Sequence, residues 1–127
     1  MKVCTILVVD DSREIVELIE TVLSQRGHTM LHCFNGVQAL KLLETAKPDL
    51  ILLDMNMPQM GGISFFHALV DKTTGKPKYP VIVITGRGEM KTLFDDFEVD
   101  GFISKPFELD AMIHKVEEVL EAYYHDT

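Results

Sequence analysis

Short apolar runs alternate along the chain with segments in which apolar residues recur every three or four positions. The runs are typical of β-strands, and the three-to-four spacing is typical of helices that bury one face. Three of the runs are nearly continuous in Ile, Leu and Val, which predicts central strands covered on both faces, whereas two are more mixed and are predicted to be edges. The five predicted strands are, in order, Thr5–Asp10, His28–Cys33, Asp49–Asp54, Pro80–Thr85 and Gly101–Lys105, with the second and fifth as edges.

Five helices are predicted to follow the strands. The first ends before Gly27, and the second runs from Val37 to Ala46 and ends before Pro48, which cannot continue it. The first, third, fourth and fifth helices are each predicted from apolar residues that would share one face. These residues are Ile15, Leu18, Ile19, Val22 and Leu23 in the first helix, Ile63, Phe66 and Leu69 or Val70 in the third, Met90, Leu93, Phe94 and Phe97 in the fourth, and Leu109, Met112, Ile113, Val116, Leu120 and Tyr123 in the fifth.

The alternation of strands and helices predicts an α/β fold with a doubly wound, five-stranded parallel sheet. The length of 127 residues fits one domain, so a single domain over 1–127 is expected. The segment Asp71–Pro80 has the composition of a surface loop. Right-handed crossovers in such a sheet place a ligand site at the carboxyl ends of the strands.

Acidic residues outnumber basic ones by 20 to 12, which gives a net charge of −8. Such a surface repels nucleic acids and anionic membranes. No signal-peptide pattern or membrane-spanning apolar run is seen, so a cytoplasmic location is expected. Cys4 and Cys33 are predicted to lie at opposite ends of neighbouring strands as reduced, buried thiols, and the five histidines are expected at the surface or at edges.

Five polar residues stand where the predicted strands end, and they are Asp10, Asp11, Asp54, Thr85 and Lys105. Helix capping explains Asp11 or Thr85 alone but not the whole set. Three carboxylates that meet at one edge repel one another by roughly 1 to 4 kcal/mol per pair. Positive charge must therefore lie among them, and the residues predict an ammonium group from Lys105 together with a hard divalent cation, for which Mg²⁺ is the best fit.

Four sequence blocks occur in order over nearly the whole chain. They are Val8-Val9-Asp10-Asp11-Ser12, Leu52-Leu53-Asp54-Met55-Asn56-Met57-Pro58 with Gly61-Gly62, Val83-Ile84-Thr85-Gly86, and Phe102-Ile103-Ser104-Lys105-Pro106-Phe107. Together the blocks resemble the receiver domains of two-component response regulators. The resemblance implies a flavodoxin-like strand order of 2-1-3-4-5 with five surrounding helices.

The resemblance also implies roles for the acidic residues. Asp54 matches the residue that accepts a phosphoryl group, a reaction that needs Mg²⁺. Asp11 matches a direct metal ligand and Asp10 a ligand through water. Asp54 itself and the backbone carbonyl of Asn56 complete the implied metal site.

Four further positions match residues that contact the phosphoryl group or respond to it. Lys105 matches the lysine that pairs with the phosphoryl group, and Thr85 matches the hydroxyl that moves toward it. Gly86, where many receivers have alanine, is expected to offer its backbone N–H. Phe102 matches an aromatic ring that turns inward when Thr85 moves, although packing in the core explains a phenylalanine there equally well. The Lys105–Pro106 peptide bond is commonly cis in this family.

The resemblance implies a phosphorylation switch. The partners would be a sensor histidine kinase or a histidine phosphotransfer protein, and a downstream protein bound at the face formed by the fourth helix, fifth strand and fifth helix. The chain would be a monomer or a phosphorylation-dependent dimer. Two alternatives remain: a Mg²⁺-dependent phosphatase or phosphotransferase, which Asn56 disfavours because such enzymes use an aspartate there, and a constitutive interaction module.

Overall fold

The computed structural model describes residues 4–55, 62–85 and 99–124. Strands and helices alternate along most of this length. They are β1 (Thr5–Val9), α1 (Arg13–Gln25), β2 (Thr29–Cys33), α2 (Gly36–Leu42), β3 (Leu50–Asp54), α3 (Gly62–Leu69), β4 (Val81–Thr85), β5 (Gly101–Ser104) and α4 (Leu109–Tyr124). None of the helices in these ranges has the length and hydropathy needed to span a bilayer.

The five strands form one parallel sheet with the order β2-β1-β3-β4-β5. Every residue of β3 and β4 is buried, and in β1 only Thr5 is partly exposed, as expected of central strands. The outer strands β2 and β5 mix exposed and buried positions. The predicted fold class, strand order and edge strands are therefore confirmed.

Helices cover both faces of the sheet because successive strand residues point in opposite directions. In β1, Ile6 and Val8 belong to a core layer that also contains residues of α1 and α4. Leu7 and Val9 belong to the opposite layer, which contains residues of α2 and α3. Each fully buried aliphatic side chain in these layers stabilises the fold by about 1.5–3 kcal/mol relative to an exposed one.

The first helix ends as its sequence predicts, but one position of its apolar stripe is wrong. Ser12 caps α1 by accepting a hydrogen bond from the backbone N–H of Ile15, and Gly27 follows its last turn with a φ of 95°. Leu18 is 43% exposed instead of buried. The stripe is centred on Val16, Ile19 and Leu23, so Leu18 lies at its margin.

Other boundaries differ from prediction by a few residues. The second helix begins one residue early at Gly36, since Asn35 caps it, and ends at Leu42, after which turns lead the chain toward β3. In α3 the buried residues are Phe65, Phe66 and Leu69. Each strand is one residue shorter than predicted, at its polar or proline end. The fourth predicted helix, Met90 to Phe97, lies outside the described residues, so the described chain has four helices and the fifth predicted helix is α4.

Both cysteines are free and buried, as predicted. The pairing of Val9 with Cys33 places Cys33 at the carboxyl end of its strand, whereas Cys4 precedes β1 at the amino end. Burial raises the pKa of the Cys33 thiol, which favours its neutral form. A disulfide between the two is excluded by this placement.

The prediction that all histidines lie at the surface or at edges is wrong for His28, whose side chain is fully buried. Its Nδ1 accepts a hydrogen bond from the backbone N–H of Cys4, and its Nε2 lies 3.6 Å from Glu117 Oε2. Glu117 also accepts two hydrogen bonds from Arg26, at 2.6 and 2.9 Å. This cluster joins the end of α1 to α4, and the Arg26 hydrogen bonds hold the pKa of Glu117 below its ordinary value.

We expect Glu117→Gln to lower the thermal unfolding midpoint at pH 7. The lowered pKa means that ionised Glu117 stabilises the fold above its ordinary pKa of 4.5, and this contribution is lost as the pH falls through the lower folded value. The difference between variant and parent should therefore shrink from pH 5 to pH 3, as followed by circular dichroism. Glu121→Gln, an exposed change on the same helix, is the control, and a difference that stays constant with pH would contradict the assignment.

Candidate functional site

The carboxyl ends of the sheet bring together the polar residues that the sequence places there. Asp54 is the last residue of β3, and Thr85 is the last residue of β4. Asp10 directly follows β1, and Lys105 directly follows β5. Because the strands are parallel and in register, these four residues meet at one edge.

The three aspartates form a compact cluster in which one oxygen of each carboxylate lies within 4.8 Å of the others. Asp10 and Asp54 are buried, with 0% and 1% exposure, whereas Asp11 is exposed. Burial of two carboxylates so close together is costly unless positive charge compensates them. The cluster is thus open to water on the side of Asp11 and enclosed on the side of Asp10 and Asp54.

Lys105 supplies part of that compensation. Its Nζ lies 3.3 Å from Asp10 Oδ2 and 3.3 Å from Asp54 Oδ1, so one ammonium group bridges two carboxylates. The backbone N–H of Lys105 donates to the carbonyl of Thr85 at 2.8 Å, and the Lys105–Pro106 bond is cis. The backbone of this segment is thus fixed beside β4 with the lysine directed toward the acidic cluster.

The loop after β1 fixes the orientation of Asp10. Asp10 Oδ1 accepts a hydrogen bond from the backbone N–H of Ser12 at 2.9 Å, and the Asp10 N–H donates to the carbonyl of Cys33 at 3.2 Å. The other carboxylate oxygen faces Lys105. Ser12 thus has two roles, because it caps α1 with its side chain and positions Asp10 with its backbone N–H. The second role can be recognised from the sequence only when the end of β1 is known.

The structure describes two of the four remaining predicted site residues. Thr85 is 3% exposed at the end of β4. Phe102 pairs with Val83 in the sheet and is partly buried against the core layer that contains α2 and α3. Asn56 and Gly86 lie outside the described residues, so their predicted contacts remain predictions.

The chemistry of the cluster fits a divalent cation. Three carboxylates and one ammonium group leave a formal excess of two negative charges, and carboxylate oxygens with access to water are the ligands that Mg²⁺ prefers. Asp10, Asp11 and Asp54 are the described residues that can hold such an ion. Neutralised in this way, a carboxylate at the site can act as a nucleophile toward phosphorus.

An apolar groove of about 410 Å³ lies beside the cluster. It is lined by Ile15 and Leu18 of α1 and by Lys105, Pro106 and Phe107. Lys105 thus belongs both to the groove and to the acidic cluster. The exposure of Leu18, which the helical pattern did not predict, contributes to this surface.

The family comparison agrees with this geometry. An aspartate pair after β1, a third aspartate at the end of β3 and a lysine after β5 are consistent with a phosphoryl-acceptor type of α/β domain. The family model of the response regulator receiver domain matches residues 6–117. The chain belongs to the receiver domains of two-component response regulators, a family in which phosphorylation of an aspartate and Mg²⁺ are general features.

Individual relatives support the same assignment. The alkaline phosphatase synthesis transcriptional regulatory protein PhoP of Bacillus subtilis is 34% identical over 117 residues, which are 91% of this chain and 48% of PhoP. Sporulation initiation phosphotransferase F of the same organism is 32% identical over 91% of this chain and 92% of its own length. The chain spans about half the length of the first curated relatives that it matches.

A solved structure shares the fold as well. The response regulator protein TrrA of Thermotoga maritima, in complex with Mg²⁺-BeF, has a TM-score of 0.80 and 29% identity. The match covers 94% of this chain and 100% of TrrA. The flavodoxin-like receiver fold is therefore confirmed.

The repulsion within the cluster leads to a prediction for the metal-free protein. We expect Asp11→Asn to raise the free energy of unfolding in a chelating buffer by up to about 1 kcal/mol, the size of one carboxylate pair interaction in water at this distance. Chemical denaturation with and without chelator measures it. Asp110→Asn, a charge-matched change in the first turn of α4, is the control. Equal or lower stability of Asp11→Asn would show that the carboxylates do not repel in the folded chain.

Proposed function

We propose that the chain is a phosphorylation switch in which Asp54 accepts a phosphoryl group from a sensor histidine kinase or a histidine phosphotransfer protein. The observation that carries the proposal is the position of Asp54 Oδ1, which lies 3.3 Å from Lys105 Nζ within the cluster of three aspartates. Asp10, Asp11, Asp54 and the backbone carbonyl of Asn56 would hold Mg²⁺. The ion would neutralise the phosphoryl oxygens during transfer.

The transfer step follows from this arrangement. A carboxylate oxygen of Asp54 attacks phosphorus, a new O–P bond forms, and the P–N bond to the donor imidazole breaks, with its electron pair returning to the imidazole. The ammonium of Lys105, already shared between Asp10 and Asp54, pairs with the transferred oxygens. The protein's own contribution is thus position and charge compensation.

The response to phosphorylation involves the neighbouring strand ends. The hydroxyl of Thr85 and the backbone N–H of Gly86 would bind phosphoryl oxygens, and the ring of Phe102 would turn inward as Thr85 moves. The partly exposed side of Phe102 borders a groove of about 330 Å³ along β5 and the start of α4. This groove supports the proposal that a downstream protein binds at the face made by the fourth predicted helix, β5 and α4.

A switch is favoured over a turnover enzyme. Hydrolases that use an aspartyl phosphate typically need a second aspartate two residues after the nucleophile, and this chain has Asn56 there. The convergence of Asp10, Asp54 and Lys105 also disfavours a constitutive interaction module, since partner binding alone does not require it. Self-phosphorylation and slow dephosphorylation would be the only reactions that the chain catalyses.

A phosphorelay step is a second candidate. The relative that matches over 92% of its own length is a phosphotransferase by name, which favours onward transfer of the phosphoryl group to another histidine. In either case we propose a single receiver domain over 1–127 in the cytoplasm, acting as a monomer or as a dimer that forms on phosphorylation.

Incubation with a small phosphodonor such as acetyl phosphate and Mg²⁺ should add one phosphoryl group, as seen by intact-protein mass spectrometry. Asp54→Asn should abolish the addition because it removes the nucleophilic oxygen, whereas Asp110→Asn should leave it unchanged. A chelator should suppress labelling at least tenfold. Labelling of Asp54→Asn at the parent's rate, or labelling that is independent of Mg²⁺, would refute the proposed acceptor site.

The apolar groove beside Lys105 is the proposed docking surface for the phosphoryl donor. The donor must bring a phosphohistidine to Asp54, so its contact surface has to adjoin the cluster, and the groove does so. Leu18, 43% exposed, offers an apolar contact there. A contiguous apolar groove of this kind next to a reactive site is typical of a surface that binds a partner.

Leu18→Glu should therefore slow transfer from a phosphorylated histidine kinase at least tenfold while labelling by acetyl phosphate stays the same. Val37→Glu, which changes a 54% exposed residue of α2, provides the matched control. Radiolabel transfer measured over time separates the two variants. A similar rate for both, or a parallel loss of acetyl phosphate labelling, would rule out docking at this groove.

A further inference from the structure

The loop of residues 71–80 differs in charge from the rest of the molecule. Its sequence contains three of the chain's 12 basic residues, Lys72, Lys76 and Lys78, and one of its 20 acidic residues, Asp71. The loop therefore has a net charge of +2, whereas the remaining residues sum to −10. It connects α3 to β4 and lies at the amino-terminal edge of the sheet, opposite the aspartate cluster.

Internal hydrogen bonds hold this loop in a defined conformation. Asp71 Oδ1 accepts from the backbone N–H of Thr73 at 2.7 Å, and this bond is the main reason that the pKa of Asp71 is lowered. The Asp71 N–H donates to the carbonyl of Lys76, and the N–H of Gly75, with a φ of 75°, donates to the Asp71 carbonyl. A bridge between Val70 and Pro77 closes the base. The lysines are thus presented by an ordered turn.

A pocket of about 340 Å³ lies between this loop and the end of α4. Its lining residues are Lys76, Pro77, Lys78, Tyr79, Pro80, Asp100 and Tyr123. Asp100 is engaged at both oxygens, because Oδ1 accepts from the Tyr123 hydroxyl at 2.6 Å and Oδ2 accepts from the Val81 N–H at 2.9 Å. Tyr123 as a whole remains 53% exposed.

We propose that this pocket binds an acidic peptide segment of a partner protein, with an apolar side chain of the segment placed against the tyrosine and proline walls. The positive charges of Lys76 and Lys78, both exposed residues, complement carboxylates on either side of that anchor. Asp100, whose carboxylate is held by its two hydrogen bonds, also lines the pocket. The volume suits one or two side chains.

The charge distribution favours a short peptide over a nucleic acid. Screening limits attraction to about 8 Å at physiological ionic strength, so the lysines act only on groups close to the loop. A long polyanion would extend beyond the loop, and the remaining residues of the chain carry a summed charge of −10. A segment of a few residues avoids that repulsion.

The probe for this site is a fluorescein-labelled hexapeptide of sequence Glu-Asp-Glu-Phe-Asp-Glu, followed by fluorescence anisotropy at 150 mM salt. The double variant Lys76→Glu/Lys78→Glu should weaken binding at least tenfold. Lys41→Glu/Lys47→Glu makes the same charge change at exposed positions outside the pocket and should alter binding less than twofold. Amide chemical shifts should move around residues 76–80 and Tyr123, and beryllofluoride should leave the affinity unchanged.

Several results would overturn the proposal. Equal weakening by both double variants would indicate a general charge effect, and shift changes away from the pocket would locate binding elsewhere. Tighter binding of a single-stranded oligonucleotide of equal charge, through the same two lysines, would identify a nucleic-acid site in place of a peptide site. Undetectable binding of the peptide to the unmodified chain would also refute the proposal that this pocket binds acidic peptides. None of these outcomes depends on whether Asp54 is phosphorylated.

Discussion

One ammonium group between two buried carboxylates is the interaction on which the functional edge of this domain depends. Asp10 and Asp54 are withdrawn from water and face Lys105 at 3.3 Å each. The three residues follow or end three different strands, so the contact forms only when β1, β3 and β5 are in register in one sheet. The two buried carboxylates would oppose folding if they were unpaired, and the ammonium group of Lys105 allows them to remain charged at this edge.

The sequence was sufficient to predict the fold because its strongest signals, the apolar runs and the helical spacing, are long and periodic. Fully apolar strands could only be central, and their alternation with helices left few possible topologies. Its errors lie where a single residue's neighbours decide the outcome. Leu18 has the right period but lies at the margin of its stripe, and His28 is buried because the Cys4 N–H and Glu117 provide polar surroundings at the foot of the sheet.

The site could be predicted to the level of which residues meet, but not to the level of how they are held. Parallel strand ends meet at one edge whatever the details, so Asp10, Asp54 and Lys105 could be grouped before any coordinates. The hydrogen bond from the Ser12 N–H to Asp10 depends on the turn after β1, and residue spacing does not reveal it. The cis bond at Pro106 could be expected only from the family resemblance, because an X–Pro bond permits either isomer.

The two edges of the sheet can serve separate partners because the strands keep them apart. A five-residue strand spans roughly 16 Å, which is about twice the screening length at physiological salt. The exposed Lys76 and Lys78 at the amino-terminal edge therefore interact only weakly through solvent with a charge added at the Asp54 edge. Coupling between the edges would have to pass through the core layers, in which the residues of β3 and β4 are all buried. The proposed chemistry at one edge and the proposed recognition at the other are thus separated by the sheet, and only a rearrangement of the core layers or a partner that spans both edges would couple them.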